Sequence, residues 1–357
     1  MEIGIVGLPN VGKSTLFNAL TGASAAAANF PFTTIEPNVG VVPLADPRLT
    51  TLAEKFDSQK ITPDGIRFVD IAGLVKGASQ GEGLGNQFLA NIRAVDAIAH
   101  VVRCFHDDNV VNVMNDVNPL SAIDIIDTEL LLADLQQAQK ASERIRGPAK
   151  SGDKKSVEKL AVLETASAAF NQGKSARSLN LPQDILNEFQ FLTSKPSLYV
   201  ANSDEGKPPE KLLASIKERA QKDHAEVVVL CAKLEAEIVQ LPPEERSAYY
   251  DAAGISSPGL AVLAQAGRKL LNLVCFFTAG PKEARAWFIP KGTPAVKAAG
   301  KIHTDIERGF IRAEVYKYDD LIKLGSYKVV QEKGLVSLEG KDYEIKEGDV
   351  VYFRFSV

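Results

Sequence analysis

Apolar residues in the first hundred positions fall into short dense runs separated by helical stretches. "EIGIVGL", "GIRFVDIAG" and "AIAHVVRCF" each predict a strand. Between them, "GKSTLFNALTG" predicts a helix closed by Gly22, and "FLANIRAVD" a second helix. Short apolar strands alternating with helices argue for a parallel sheet covered by helices, an α/β fold. "ASAAAANFPFTTIEPN" and "GLVKGASQGEGLG" hold neither period and read as irregular segments.

The rhythm then breaks. From Pro119 to about Asn171 the pattern is helical and polar, interrupted at "RGPAKSGDKK". Asn118 can cap the first helix, with Pro119 at its first position. Val157, Leu160, Leu163 and Phe170 keep an apolar stripe on the second. Two long helices around a Gly/Pro turn make a helical hairpin, an insertion over 119–190. From Gln137 to Arg177 there are nine Lys/Arg against four Asp/Glu. That excess is either a solvated helix face or a basic arm that touches RNA. "SLYVAN" and "AEVVVLCAK" resume the strand pattern, and a helix follows through "LAVLAQAGRKLLNLV". From Phe276 on, "RAWFI", "GFIRAEVYKY", "YKVVQ" and "VVYFRFSV" are strand-like pieces between Gly/Pro loops. The expected partition is therefore a first domain over 1–275 and a β-rich domain over 276–357.

Composition narrows the class. The 357 residues are 45% hydrophobic and 24% charged, with a net charge of -4, as in ordinary soluble proteins. Overall charge does not mark a nucleic-acid binder, so any such surface must be local. Cys104, Cys231 and Cys275 are odd in number, far apart and without metal-ligand spacing, which favours a reducing cytoplasm. The expectation is a cytoplasmic protein with no signal peptide. No apolar run approaches the roughly 18 to 20 residues that span a bilayer.

The chemistry is concentrated in four stretches. "GLPNVGKS", Gly7 to Ser14, fits G-x-x-x-x-G-K-S between a strand and a helix. Glycines let backbone N–H groups wrap phosphates, and the helix N-terminus adds positive partial charge. Asn10, Val11, Gly12, Lys13, Ser14 and Thr15 are the candidate phosphate-binding residues. Lys13 would reach the terminal phosphates and the Ser14 hydroxyl would ligate Mg²⁺. "VDIAG" supplies Asp70 for the metal shell and Gly73 for the γ-phosphate. Thr33 and Thr34 lie between, either one suited to complete a metal site in the triphosphate state. "SLYVANSDE" stands where nucleotide switches of this plan carry Asn-Lys-x-Asp, whose Asp reads guanine. Here Asn202 is followed by Ser203, with Glu205 at the final place.

The phosphate loop, "FPFTTIEPN", "DIAGLVKGASQGEGLGNQFL" and "KEGDVVYFRFSV" together resemble the YchF family of P-loop NTPases, relatives of the Obg GTPases. The resemblance covers the whole chain. It implies a Ras-like P-loop NTPase domain with a helical hairpin insertion, and a C-terminal TGS domain of β-grasp character. It implies Thr34 rather than Thr33 for Mg²⁺, and "CAK", with Cys231 and Ala232, as the loop that packs on the base. "NSDE" matches the family's Asn-x-x-Glu, which implies that adenine is accommodated, so ATP is bound at least as well as GTP. Ribosome association is implied as well, at the large subunit, with RNA contacts through the arm and the C-terminal domain, by a monomer. Asn10 resembles the loop Asn that ligates K⁺ in some relatives; the other reading is a loop-stabilising amide. Leu74 replaces the water-orienting Gln, so His106 and Asn112 are the candidates left for catalysis and the catalytic group is unassigned. Two further readings stay open: a GTP-specific GTPase, and a nucleotide-gated binding module with negligible turnover.

Overall fold

The computed structural model describes residues 1–26, 38–71, 84–107, 118–205 and 208–356. Thr33, Thr34, Gly73, Leu74 and Asn112 lie outside the described residues. The chain begins with β1 (Glu2–Val6), α1 (Lys13–Ala26), β2 (Val39–Pro43), α2 (Pro47–Lys55), β3 (Ile61–Thr62), β4 (Gly65–Asp70), α3 (Leu84–Ala94) and β5 (Ala97–Arg103). The insertion carries α4 (Pro119–Lys150), α5 (Lys154–Asn171) and α6 (Gln183–Phe189). Then come β6 (Ser197–Asn202), α7 (Glu210–Lys222), β7 (Glu226–Leu230), α8 (Ala232–Ile238), α9 (Pro243–Ala252) and α10 (Gly259–Leu270). The C-terminal part holds β8 (Leu273–Ala279), β9 (Ala284–Pro290), α11 (Ala295–Ile302), α12 (Thr304–Arg308), β10 (Phe310–Lys317), α13 (Tyr318–Leu324), α14 (Tyr327–Glu332), β11 (Ser337–Glu339) and β12 (Asp349–Phe355).

Contacts divide the chain into two units. The first takes the described residues of Met1–Val42 and Arg67–Gly267. Among the described residues its sheet runs β2-β4-β1-β5-β6-β7. The ladders β4–β1, β1–β5, β5–β6 and β6–β7 are all parallel. Every residue of β5 and β6 is buried, as expected of strands covered on both faces. β1 lies between β4 and β5, so the crevice at the carboxyl ends of these strands is the expected ligand position.

Two helix boundaries differ from the sequence reading. α1 does not stop at Gly22 but runs on to Ala26. A Cβ at Gly22 would meet the Val239 side chain at 2.8 Å, so this glycine serves close packing against the end of α8, not termination. α4 likewise continues through Gly147 and Pro148, and only Ser151 to Asp153 separate it from α5. Asn118 caps α4 as expected, accepting from the Ser121 N–H at 3.2 Å, and Asp153 caps α5 through Ser156. Between the helices Ala138, Ala141, Leu163, Ala166 and Phe170 form one core with Phe189 and Phe191. At the root, Arg219 of α7 pairs with Asp124 (2.6 Å) and Asp127 (2.7 Å) of α4, and with Asp223 (2.7 Å).

The second unit joins Pro43–Ile66 to Arg268–Val357. Its sheet runs β11-β10-β12-β8-β9-β3. Phe276, Trp287, Ile289, Val315, Val351 and Phe353 build its core with α11. The stretch from Pro43 is built into this unit. β3 pairs in parallel with β9, Asp64 accepts from the Phe288 N–H at 2.7 Å, and the Arg48 guanidinium lies 4.9 Å from the Phe277 ring centroid. This grouping differs from a single cut at residue 275. "YKVVQ" is helical: it forms most of α14, capped by Ser326 after Gly325 ends α13 in a left-handed turn. Only Val330 of α14 is buried, so its adjacent valines mark one turn of helix and not a strand face. No helix among the described residues is long and apolar enough to cross a membrane.

Candidate functional site

β1 delivers the chain to Gly7, where a Cβ would lie 2.6 Å from the Val101 carbonyl oxygen of β5. Only glycine permits that approach. Asn10 (φ 63°) and Gly12 (φ 94°) then turn the chain through the left-handed region. At Gly12 space adds to conformation, since a Cβ would fall 2.1 Å from Asn202 Nδ2. α1 therefore starts at Lys13 with no acidic residue in its first turn, and its free N–H groups favour an anion. Lys13 Nζ donates to the Gly7 and Leu8 carbonyls, each at 2.9 Å, and so spans its own loop. Burial lowers the pKa of this ammonium, and Asp70 opposes the shift. Asp70 ends β4, in register with Ile5 of β1, and burial raises its carboxyl pKa while Lys13 pulls it back. Ser14 is exposed in the first turn of α1. The Ser14 hydroxyl and the Asp70 carboxylate are the oxygen donors that Mg²⁺ selects, so the described part of the expected metal shell fits that ion.

The base side is organised by Asn202 at the end of β6. Its buried side chain donates to the Val11 carbonyl at 3.0 Å and accepts from the Ala232 N–H at 2.9 Å. One amide thus joins the phosphate loop to the start of α8, the loop expected against the base. Glu235, buried in α8, accepts from Tyr250 Oη (2.8 Å) and the Gly259 N–H (2.6 Å) and fixes that helix in turn.

Ser203 is buried, with its N–H donating to the Leu230 carbonyl at 2.9 Å. Asp204 and Glu205 are exposed. Both carboxylates act on Cys231, whose thiol pKa is raised first by burial and further by their charge, so they lie on the side of the base loop. Asp204 Oδ2 accepts from the His106 N–H at 3.3 Å.

His106 is exposed. The sequence reading missed Arg103, at the end of β5 and in register with Asn202. Its buried guanidinium donates to the Phe105 and Asp107 carbonyls, each at 3.2 Å, and stacks 4.4 Å from the Phe105 ring centroid. It fixes the turn that carries His106. The signal was an arginine closing an otherwise apolar strand.

Residues 2–139 match the family model described as 50S ribosome-binding GTPase, and residues 273–356 match YchF-GTPase_C, described as a protein of unknown function. The chain is 51% identical over 360 residues to the ribosome-binding ATPase YchF of Pasteurella multocida, covering 100% of this chain and 99% of that protein. It is 48% identical over 364 residues to the ribosome-binding ATPase YchF of Bacillus subtilis, with both chains fully covered. The Schizosaccharomyces pombe YchF GTPase superposes with a TM-score of 0.87 at 34% identity, over 99% of this chain and 97% of that one. A GTP-binding protein from Pyrococcus horikoshii shares the fold, with a TM-score of 0.61 at 20% identity, over the full length of both chains. Identity near one half along the whole length, on a complete phosphate loop and an Asn202-braced base side, settles the assignment: the chain belongs to the YchF family.

Proposed function

We propose that this chain is a Mg²⁺-dependent P-loop nucleoside triphosphatase that prefers no guanine base, hydrolyses ATP slowly by itself, and binds the ribosome. The observation that carries the nucleotide part is the double hydrogen bond of Asn202, which holds phosphate loop and base loop in one frame. Lys13 and the loop amides bind the phosphates, and the N-terminus of α1 favours their charge. Ser14 and Thr34 would hold Mg²⁺ with Asp70 behind, and the ion when bound neutralises charge on the phosphates. Asn10, Val11, Gly12, Thr15 and Gly73 complete the phosphate side, and Cys231 and Ala232 flank the base. Ser203 and Glu205 stand where guanine readers carry Lys and Asp. A carboxylate accepts from the donors of guanine, and adenine offers no donor at its N1. Glu205 is one methylene longer than that Asp, so the short paired-acceptor geometry behind strong guanine selectivity is not kept.

Ribosome binding is read from the relatives named ribosome-binding ATPase YchF. The second unit is read as a TGS domain, and its RNA contacts join those of the helical arm at the large subunit. The protein acts in the cytoplasm as a monomer, and K⁺ at Asn10 is an optional activator. Leu74 cannot orient water by hydrogen bonding, which favours a second reading in which nucleotide occupancy, not turnover, carries function. Single-turnover ATP hydrolysis with and without ribosomes tests the choice. Acceleration by ribosomes supports the triphosphatase; ATP binding with no turnover in either condition sinks it. A hundredfold preference for GTP over ATP in titrations at fixed Mg²⁺ would overturn the base reading.

A further inference from the structure

The outer face of the C-terminal sheet is unlike the rest of the surface. β10 pairs with β12 and with β11 in antiparallel register, so Arg312 faces Arg354, Tyr352 faces Glu314, and Leu338 flanks Glu314 on the other side. These residues share one face, because Ala313, Val315, Val351 and Phe353 between them enter the core. Tyr352 is 57% exposed and Leu338 61%, on strands whose other face is fully packed. The Arg354 guanidinium lies 5.0 Å from the Tyr352 ring centroid and donates through Nε to Glu314 at 2.8 Å. The Glu314 side chain is only 12% exposed beneath it, whereas that of Arg354 is 51% exposed. Both Arg354 and Glu314 act on the half-buried Tyr327 of α14, which borders the same face.

One pairing on this face does not serve the fold. Like charges directly opposite in an antiparallel pair are destabilising, yet Arg312 faces Arg354. The carboxylate between them pairs with Arg354 and is shielded from solvent, so Arg312 carries the outward charge that this pair does not offset. An open tyrosine ring on a sheet, held in place by a neighbouring guanidinium and bordered by cationic groups, is the arrangement that stacks unpaired bases and tracks their phosphates. A protein partner rich in carboxylates would suit Arg312 but leave the Tyr352 ring without a planar ligand.

We propose that the outer face of β10, β11 and β12 is a stacking platform for single-stranded RNA, with a base on Tyr352, whose ring Arg354 holds, and a phosphate on Arg312. This deepens the ribosome-binding reading above and rests on it for the biological source of the RNA. The local charge explains how a unit with fourteen Lys/Arg against twelve Asp/Glu from Phe276 to Val357 can still bind a polyanion.

The test uses the full chain and a labelled 12-nucleotide oligouridylate, with a duplex RNA of equal length as competitor. Tyr352→Ala should weaken oligonucleotide binding by roughly tenfold, and Tyr352→Phe should retain it, because stacking needs the ring and not the hydroxyl. Arg312→Ala should lower the salt slope by about one. Both positions are exposed, so the variants keep the fold, which an unchanged urea unfolding transition verifies. Unaltered oligonucleotide binding in Tyr352→Ala and Arg312→Ala overturns the platform. So does a wild-type chain that ignores the oligonucleotide while both variants lose ribosome co-sedimentation, since the face then meets a protein. If the wild type binds the oligonucleotide through Tyr352 and Arg312 yet fails to sediment with ribosomes, the platform stands and the ribosome reading falls.

Discussion

Asn202→Ala removes a side chain that touches only protein, and its consequence can be worked from two hydrogen bonds. The amide is buried, donates to Val11 and accepts from Ala232. Truncation leaves the Ala232 N–H, in a residue with no solvent exposure, without its acceptor. An orphaned buried donor costs about 1–3 kcal/mol, and loss of the second bond about 1 kcal/mol more. If half of that total of roughly 2–4 kcal/mol falls on nucleotide binding, affinity drops about 5- to 30-fold, at 1.4 kcal/mol per tenfold. The remainder falls on stability in urea without nucleotide. ATP and GTP analogues should lose equally in titrations at fixed Mg²⁺, because the loss is of loop order and not of a base contact. A double-mutant cycle sharpens the claim. Gly12→Ala places a Cβ 2.1 Å from Asn202 Nδ2 and also strains a residue at φ 94°. Removing the Asn202 amide relieves the overlap and leaves only the backbone strain, of order 1 kcal/mol. Gly12→Ala should therefore cost at least about 1 kcal/mol less in the Asn202→Ala background than alone. Additive effects, or a loss confined to one nucleotide, would refute the bracing role.

Thr34→Ala should weaken triphosphate binding more than diphosphate binding; equal losses in titration would remove Thr34 from the metal shell. At the arm tip, charge reversal at Lys150, Lys154 and Lys155 should flatten the salt dependence of ribosome co-sedimentation. Lys159 is left out of that set because it pairs with Glu188 at 2.5 Å. His100 is buried in β5, and burial, with Arg177 and Arg219 nearby, pushes its pKa down from 6.5 to about 3. The unfolded chain takes up this proton below pH 6.5 and the folded chain does not, so stability is complete above that value and falls between pH 6.5 and 3. By pH 5 the loss is about 2 kcal/mol. Urea unfolding at pH 8 and pH 5 should show it, and His100→Gln should remove that share of the pH dependence.

The phosphate loop was legible because its physics is local. Glycines at fixed spacing, the lysine and the helix start all lie within eight residues, and Asn10 and Gly12 adopt the conformations such a loop requires. The strands of the first sheet were legible because burial on both faces leaves uninterrupted apolar runs. Contacts made at a distance were not. Asn202 reads as the end of an apolar strand, and its partners Val11 and Ala232 lie 191 and 30 residues away. Gly22 reads as a helix terminator until Val239 is seen against it. "YKVVQ" carries β-formers, and only the cap at Ser326 and the single buried Val330 make it a helix. β3 is two residues long, too short for any period to reveal that it joins the C-terminal sheet.

The insertion raises a mechanical question that the root answers. At 1.5 Å per residue, the 32 residues of α4 reach about 48 Å. A lever of that length transmits a displacement only where its base does not yield. Arg219 grips two carboxylates of α4 and one of α7, and Tyr199 of β6 donates to the same Asp223 at 2.6 Å. Further along, Asp134 accepts from Leu192 and Thr193 N–H groups and from the Thr193 hydroxyl, all buried. Removing Arg219 would leave the largely covered Asp127 and Asp223 uncompensated, so these ion pairs tie α4 to α7. β6 then runs without interruption to Asn202. Arm and base loop are therefore joined through β6 by these contacts. Contiguity of this kind puts the arm and the nucleotide loops on one path of packed contacts. Coupling between tip and nucleotide along that path requires an element with two arrangements.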